Sequence, residues 1–249
     1  MKIIFLGTNG WYDTDMGNTV CILVRTEEFD LVLDAGNGFY KLDRYIDRTS
    51  KKPLYLFLSH FHLDHIIGLH TLNKFSFPQG LIICGPTGSR EVLTRFVNRP
   101  FTAALSDLPY SVEIYELPAD LTNLPFPVET MPLNHPVLTL GYRITLDNKL
   151  ICYCSDTGYC NNAVTLSRSA DFLIAECAYR QEQFSEAWPH LNPEAAARIA
   201  AEAGVKQLAL THFDARLYTT YADREESETI ARKIFPETFA ARDDQEIDL

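Results

Sequence analysis

The chain has seven histidines, and three of them crowd into His60-Phe61-His62-Leu63-Asp64-His65. Imidazole and carboxylate side chains with no thiolate among them suit Zn, Mn or Fe. Residues two apart on extended backbone point the same way, so His60 and His62 can grip one cation. Asp64 and His65 fall where the chain turns into a helix. They point elsewhere and can hold a second cation close by. Metal-free surface or helix-capping histidines are the bland alternative, but four ligand-type residues in six positions make a specific pattern. A pair of bound cations would bring the pKa of water towards about 7 and polarise a scissile oxygen, which is hydrolytic chemistry.

Such side chains need a frame. Pro53-Leu54-Tyr55-Leu56-Phe57-Leu58 is a continuous apolar run after a proline, as expected for a strand buried on both faces just before the motif. Strands are expected over Lys2–Leu6, Thr19–Arg25 and Asp30–Leu33, then helix over 66–72. Further on, Val128–Leu133, Leu138–Thr145 and Leu150–Cys154 form a meander with a hairpin turn at Asp147-Asn148. The last third alternates: a strand at Phe172–Glu176, a helix at Pro193–Ala203 opened by proline and closed by Gly204, a strand at Gln207–Thr211, and a helix over 223–234. Strands then helices, twice over, fit an α/β fold of two mixed sheets packed face to face with helices outside. Residues 243–249 are acidic and are expected to be a solvated tail.

Bulk properties narrow the function. A chain of 249 residues, 46% apolar and 22% charged, suits one globular domain over residues 1–249. No stretch approaches the roughly 18 consecutive apolar residues of a membrane helix, and Met1–Gly7 is too short an apolar run for a signal peptide. A cytoplasmic location is expected. The six cysteines sit mostly in apolar, strand-like surroundings and are expected to be unpaired core residues. The net charge of −11 argues against a protein that grips a long nucleic acid by its phosphates.

His60–His65 resembles the signature of the metallo-β-lactamase superfamily, whose fold is a four-layer αβ/βα sandwich. Later segments match in order. Asn134-His135-Pro136, followed by Gly141-Tyr142-Arg143-Ile144, is similar to the ribonuclease Z and phosphodiesterase branch. Ser155-Asp156-Thr157-Gly158 and Leu210-Thr211-His212-Phe213 resemble the bridging-aspartate and final ligand segments. The resemblance implies that His60, His62 and His135 bind a first metal ion, that Asp64, His65 and His212 bind a second, and that Asp156 bridges them. Zn is the first expectation for both ions, with Mn or Fe as alternatives. It also implies that Glu176 and His190 assist phosphodiester cleavage, with Asp64 orienting the nucleophile. The bland readings are a solvent-facing Glu176 and a helix-capping His190.

Only twenty residues separate His135 from Asp156, and they hold little more than a hairpin. Ribonuclease Z enzymes carry a long tRNA-gripping arm there. A small phosphodiester, such as a cyclic nucleotide or short diester, is therefore the expected substrate, with a homodimer compatible. Hydrolysis of a lactone, thioester or lactam, and a non-catalytic metal-binding module, are the rivals. Asp34-Ala35-Gly36 is expected to anchor a turn, and His70 to be structural. Trp11 and Tyr12, in the loop after the first strand, either stack on a substrate ring or pack the loop.

Overall fold

Parity along the first strand requires two covered faces. Ile3 and Phe5 point one way, Ile4 and Leu6 the other, and all four are buried. The computed structural model, which describes residues Met1–Leu249, supplies both covers. A seven-stranded sheet runs in the order Gln245–Asp248, Lys2–Gly7, Cys21–Arg25, Asp30–Leu33, Leu54–Phe57, Leu81–Pro86 and Val112–Leu117. A six-stranded sheet runs Thr238–Ala240, Leu208–Thr211, Phe172–Glu176, Lys149–Cys154, Leu140–Leu146 and Val128–Pro132.

Three apolar clusters divide the molecule into four layers. Between the sheets, Ile3, Phe5 and Phe57 meet Tyr142, Tyr153 and Ile174. Outside the first sheet, Ile4, Leu6 and Leu56 pack on Phe39, Leu69 and Leu93. Outside the second, Cys152, Cys154 and Leu208 pack on Leu166, Ile199 and Ala200. The expected four-layer α/β sandwich is the observed architecture. No helix is long and apolar enough to cross a membrane.

Local expectations fare unevenly. The helix Pro193–Ala203 is capped by the Asn192 side chain, which accepts from the Ala195 N–H, and ends at Gly204 with φ +64°. Asp147 and Asn148 have φ +48° and +58°, the pair of left-handed residues that a type I′ hairpin demands. The helix expected over 66–72 is instead one α-turn, Leu63–Ile66, running into a 3-10 segment, Ile67–Lys74. The last helix starts earlier, at Tyr221, because Thr220 and Asp223 form a reciprocal capping box.

The expected solvated tail is wrong. Gln245–Asp248 pairs antiparallel with Lys2–Phe5 and closes an edge of the first sheet. Asp243 accepts hydrogen bonds from the Thr8 hydroxyl, the Asn18 N–H and the Lys41 ammonium. Acidic composition hid a strand of half-buried alternation with a buried charge partner. All six cysteines are free, five of them buried, and burial raises Cys152 to about 12.

Candidate metal centre

Parallel strands deliver their C-terminal ends to one edge, and the site collects there. His60 follows the strand Leu54–Phe57, Asp156 follows Lys149–Cys154, and His212 follows Leu208–Thr211. His135 stands in the turn before Leu140–Leu146, where Asn134 bridges to Gly158 beside Asp156.

These residues converge in two groups. His60, His62, His135 and Asp156 bring donor atoms within 4.8 Å of one another, and so do Asp64, His65 and His212. Asp156 faces both. Its Oδ1 lies 3.1 Å from His65 Nε2 and 3.2 Å from His212 Nε2. Its Oδ2 lies 3.8 Å from His60 Nε2 and 3.9 Å from His135 Nε2. His190 joins Asp156 and His212 in a third such group.

The donor set fits divalent cations on its own chemistry. His60 Nε2 is buried with no hydrogen-bond partner, while its Nδ1 meets the Ser59 hydroxyl at 3.0 Å. Burial, and then His65, push the His60 imidazole well below its usual range, leaving a neutral ring with a lone pair to give. Burial alone would raise Asp156, yet His212, His65 and His60 hold its carboxyl well below the usual range. His65 is pushed up: burial opposes its charge, but Asp156, Asp64 and Asp34 outweigh it. Packed imidazoles around two carboxylates call for concentrated positive charge, which cations supply.

The supporting shell is extensive. Asp34 Oδ2 accepts from the Tyr153 hydroxyl at 2.6 Å and the Ser59 hydroxyl at 2.7 Å, and lies 2.8 Å from His65 Nδ1. That contact turns His65 Nε2 towards the site. Asp34 does more than anchor a turn. Asp64 Oδ2 accepts the Trp11 backbone N–H at 2.7 Å. Gly10 lies so close to His212 that a Cβ there would meet its ring at 2.6 Å. Asp34, His212 and Trp11 all have left-handed backbone, with φ of 56°, 53° and 72°, and such strain gathers where a site dictates geometry.

Glu176 is fully buried, not solvent-facing. It accepts from the backbone N–H groups of Thr157 and Ala178, and its Oε1 lies 2.8 Å from His190 Nδ1. Burial lowers the His190 imidazole, but Glu176 prevails and raises it to about 9. His70 is exposed and bonds the Ile67 carbonyl, away from the group.

Beside the centre lies a cavity of about 570 Å³, the size of a small-ligand pocket, with His62, Asp64, His190 and His212 on its walls. Trp188 stacks on His62, ring centroids 5.5 Å apart at 15°. Sequence reasoning missed Trp188, Tyr153 and Ser59. The first had a signal, since it lies two residues before His190. The other two had none, because their partners are remote in sequence.

Residues 30–213 match the beta-lactamase superfamily domain. The chain belongs to that superfamily. It is 28% identical over 222 residues to the probable metallo-hydrolase YhfI of Bacillus subtilis (strain 168), covering 85% of this chain and 86% of that one. The crystal structure of YhfI superposes with a TM-score of 0.80 at 25% identity, over 99% of both chains. Ribonuclease Z of Synechococcus sp. (strain CC9311) is 26% identical, with 100% and 99% covered, in an alignment of 319 positions. Human short-form tRNase Z shares the fold, with a TM-score of 0.76 at 24% identity over 100% and 99% of the chains. This is a metallo-β-lactamase-fold hydrolase with a metal-binding His/Asp cluster.

Proposed function

We propose that this hydrolase cleaves small phosphodiesters at a dinuclear centre. The observation that carries this reading is the His190–Glu176 pair, an imidazole whose Nδ1 lies 2.8 Å from a buried carboxylate beside the donor cluster. Phosphodiester cleavage builds negative charge on the phosphoryl oxygens and on the departing alkoxide. An imidazole paired with a carboxylate beside the cluster can hold and deliver a proton, which suits both.

His60, His62 and His135 would hold one ion, Asp64, His65 and His212 the other, with Asp156 shared. Zn is the first candidate, and Mn or Fe suit the same donors. When bound, such ions supply Lewis acidity and a water acidic enough to attack at neutral pH. Asp64 takes the proton of the attacking water. His190 gives its proton to the leaving oxygen, and Glu176 holds the imidazole in the tautomer and charge that permit this.

A small substrate is supported by the hairpin Leu140–Cys154, which fills the interval where a tRNA-gripping arm is expected. The alignment with ribonuclease Z is also longer than this chain of 249 residues. Six free thiols agree with a cytoplasmic setting. We read residues 1–249 as one catalytic unit. The test is turnover of bis-p-nitrophenyl phosphate beside a lactone and a thioester, with elemental analysis of the purified protein. Diester turnover lost on chelation and restored by a divalent ion is expected. Brisk lactone turnover with no diesterase activity would sink the proposal.

A further inference from the structure

The chain has two tryptophans, and both stand at the cavity mouth. Trp188 is committed to His62, on which it stacks. Trp11 is not committed to packing: it is 59% exposed and touches Tyr12 edge-on. Its backbone sits at φ +72°, a conformation that glycine or asparagine adopts more readily than a bulky residue. An exposed aromatic ring on strained backbone contributes little to stability. Its backbone N–H serves Asp64, but any residue supplies an N–H. The indole itself is left without a folding task.

Arg216 supplies the second observation. It is the one lysine or arginine lining the cavity, whose walls also carry Asp64, Asp156 and Asp214. Its guanidinium lies over the Trp11 ring, 5.2 Å from the centroid, and its side chain is 63% exposed. Its contact with Asp214 is loose, at 3.4 Å. A guanidinium within cation–π reach of an exposed indole sets together the two kinds of side chain on which nucleobases stack, without sequence preference.

We propose that Trp11 and Arg216 form a base-stacking subsite, so that the substrate is a nucleotide-type phosphodiester whose base lies on this platform while its phosphate reaches the metal centre. The inference rests on the phosphodiester reading and names the rest of the substrate. An arginine beside the indole offers a planar surface to a ring, where a lysine would offer only charge.

Calorimetric titration of the metal-loaded protein with AMP, ribose 5-phosphate and phenyl phosphate tests this without turnover. AMP and ribose 5-phosphate share a phosphate and differ in the base. AMP is expected to bind at least about tenfold more tightly than either other ligand, given the usual contribution of one stacked base. In Trp11→Asn, which suits the left-handed backbone and keeps the N–H, that preference should fall to within about twofold, with Tm no lower than the parent's. In Arg216→Lys the charge stays but the preference should shrink. Equal binding of AMP and ribose 5-phosphate by the parent protein would overturn the subsite. So would a preference for phenyl phosphate, or Trp11→Asn retaining full selectivity. Lack of diesterase turnover alongside selective AMP binding would defeat the catalytic reading and leave the subsite standing.

Discussion

Two histidine–carboxylate pairs flank this centre, and they have the same length. His65 Nδ1 lies 2.8 Å from Asp34, and His190 Nδ1 lies 2.8 Å from Glu176. Their surroundings separate them. His65 and Asp34 are both fully buried, and Tyr153 and Ser59 also bond that aspartate. The remaining His65 nitrogen meets Asp156 and His212. His190 lines the cavity, where a substrate can reach it. The same contact thus holds one imidazole among the donor atoms and leaves the other facing the cavity. What the second nitrogen faces decides the role.

The harshest way to break this comparison is His65→Ala. It should lower the metal content seen by elemental analysis and reduce turnover to the metal-free background. Full metal and full activity in that variant would remove the ligand role. His190→Ala should instead cost about 10²–10⁴-fold in kcat while metal stoichiometry holds, the loss expected for the general acid proposed above. Coincident metal loss would move His190 into the ligand set, where its position beside Asp156 and His212 also allows it to serve. Asp34→Asn should weaken metal affinity about 10–100-fold, measured by competition with a chelator, because it loosens the orientation of His65 without touching the ion.

The smallest expected effect concerns the loop that carries His190. Arg180 ties that loop to the helix Tyr221–Arg232 through Asp223, at 2.7 Å. Partial burial raises the Asp223 carboxyl, but Arg180 and Thr220 prevail and hold it down at about 2. A depressed carboxyl contributes stability above its unfolded pKa, near 3.9, and loses it as pH falls towards 2. The pair is partly exposed, so the contribution is at most about 1 kcal/mol. Proteolysis across residues 177–192 between pH 5 and pH 2.5 should show the loop loosening first. Asp223→Asn should remove that acid step. The His65–Asp34 pair has no comparable surface anchor and should not follow it.

The central motif was legible because its geometry is local. Two residues apart on the stretch just past a buried strand, then a turn into a helix, already orient His60, His62, Asp64 and His65. The strand Phe172–Glu176 and the helix Pro193–Ala203 were legible to the residue because cap, proline and glycine signals are also local. The final strand was not, since its partner is the first strand, some 240 positions away. Acidic composition pointed to solvent, and only pairing with Lys2–Phe5 and the contact of Asp243 with Lys41 reverse that.

The sequence by itself determined that a His/Asp cluster exists, that its donors are imidazole and carboxylate, and that two sheets with outer helices carry it. Ligand type and short-range spacing are properties of neighbouring residues. Only the tertiary structure decided that Asp156 turns one oxygen to each donor group, that Asp34 holds His65, that Glu176 is buried against His190, and that Trp11 and Arg216 share one wall. Each of these depends on strand ends from different parts of the chain meeting at one sheet edge. That meeting is set by how the two sheets pack, which no local spacing encodes.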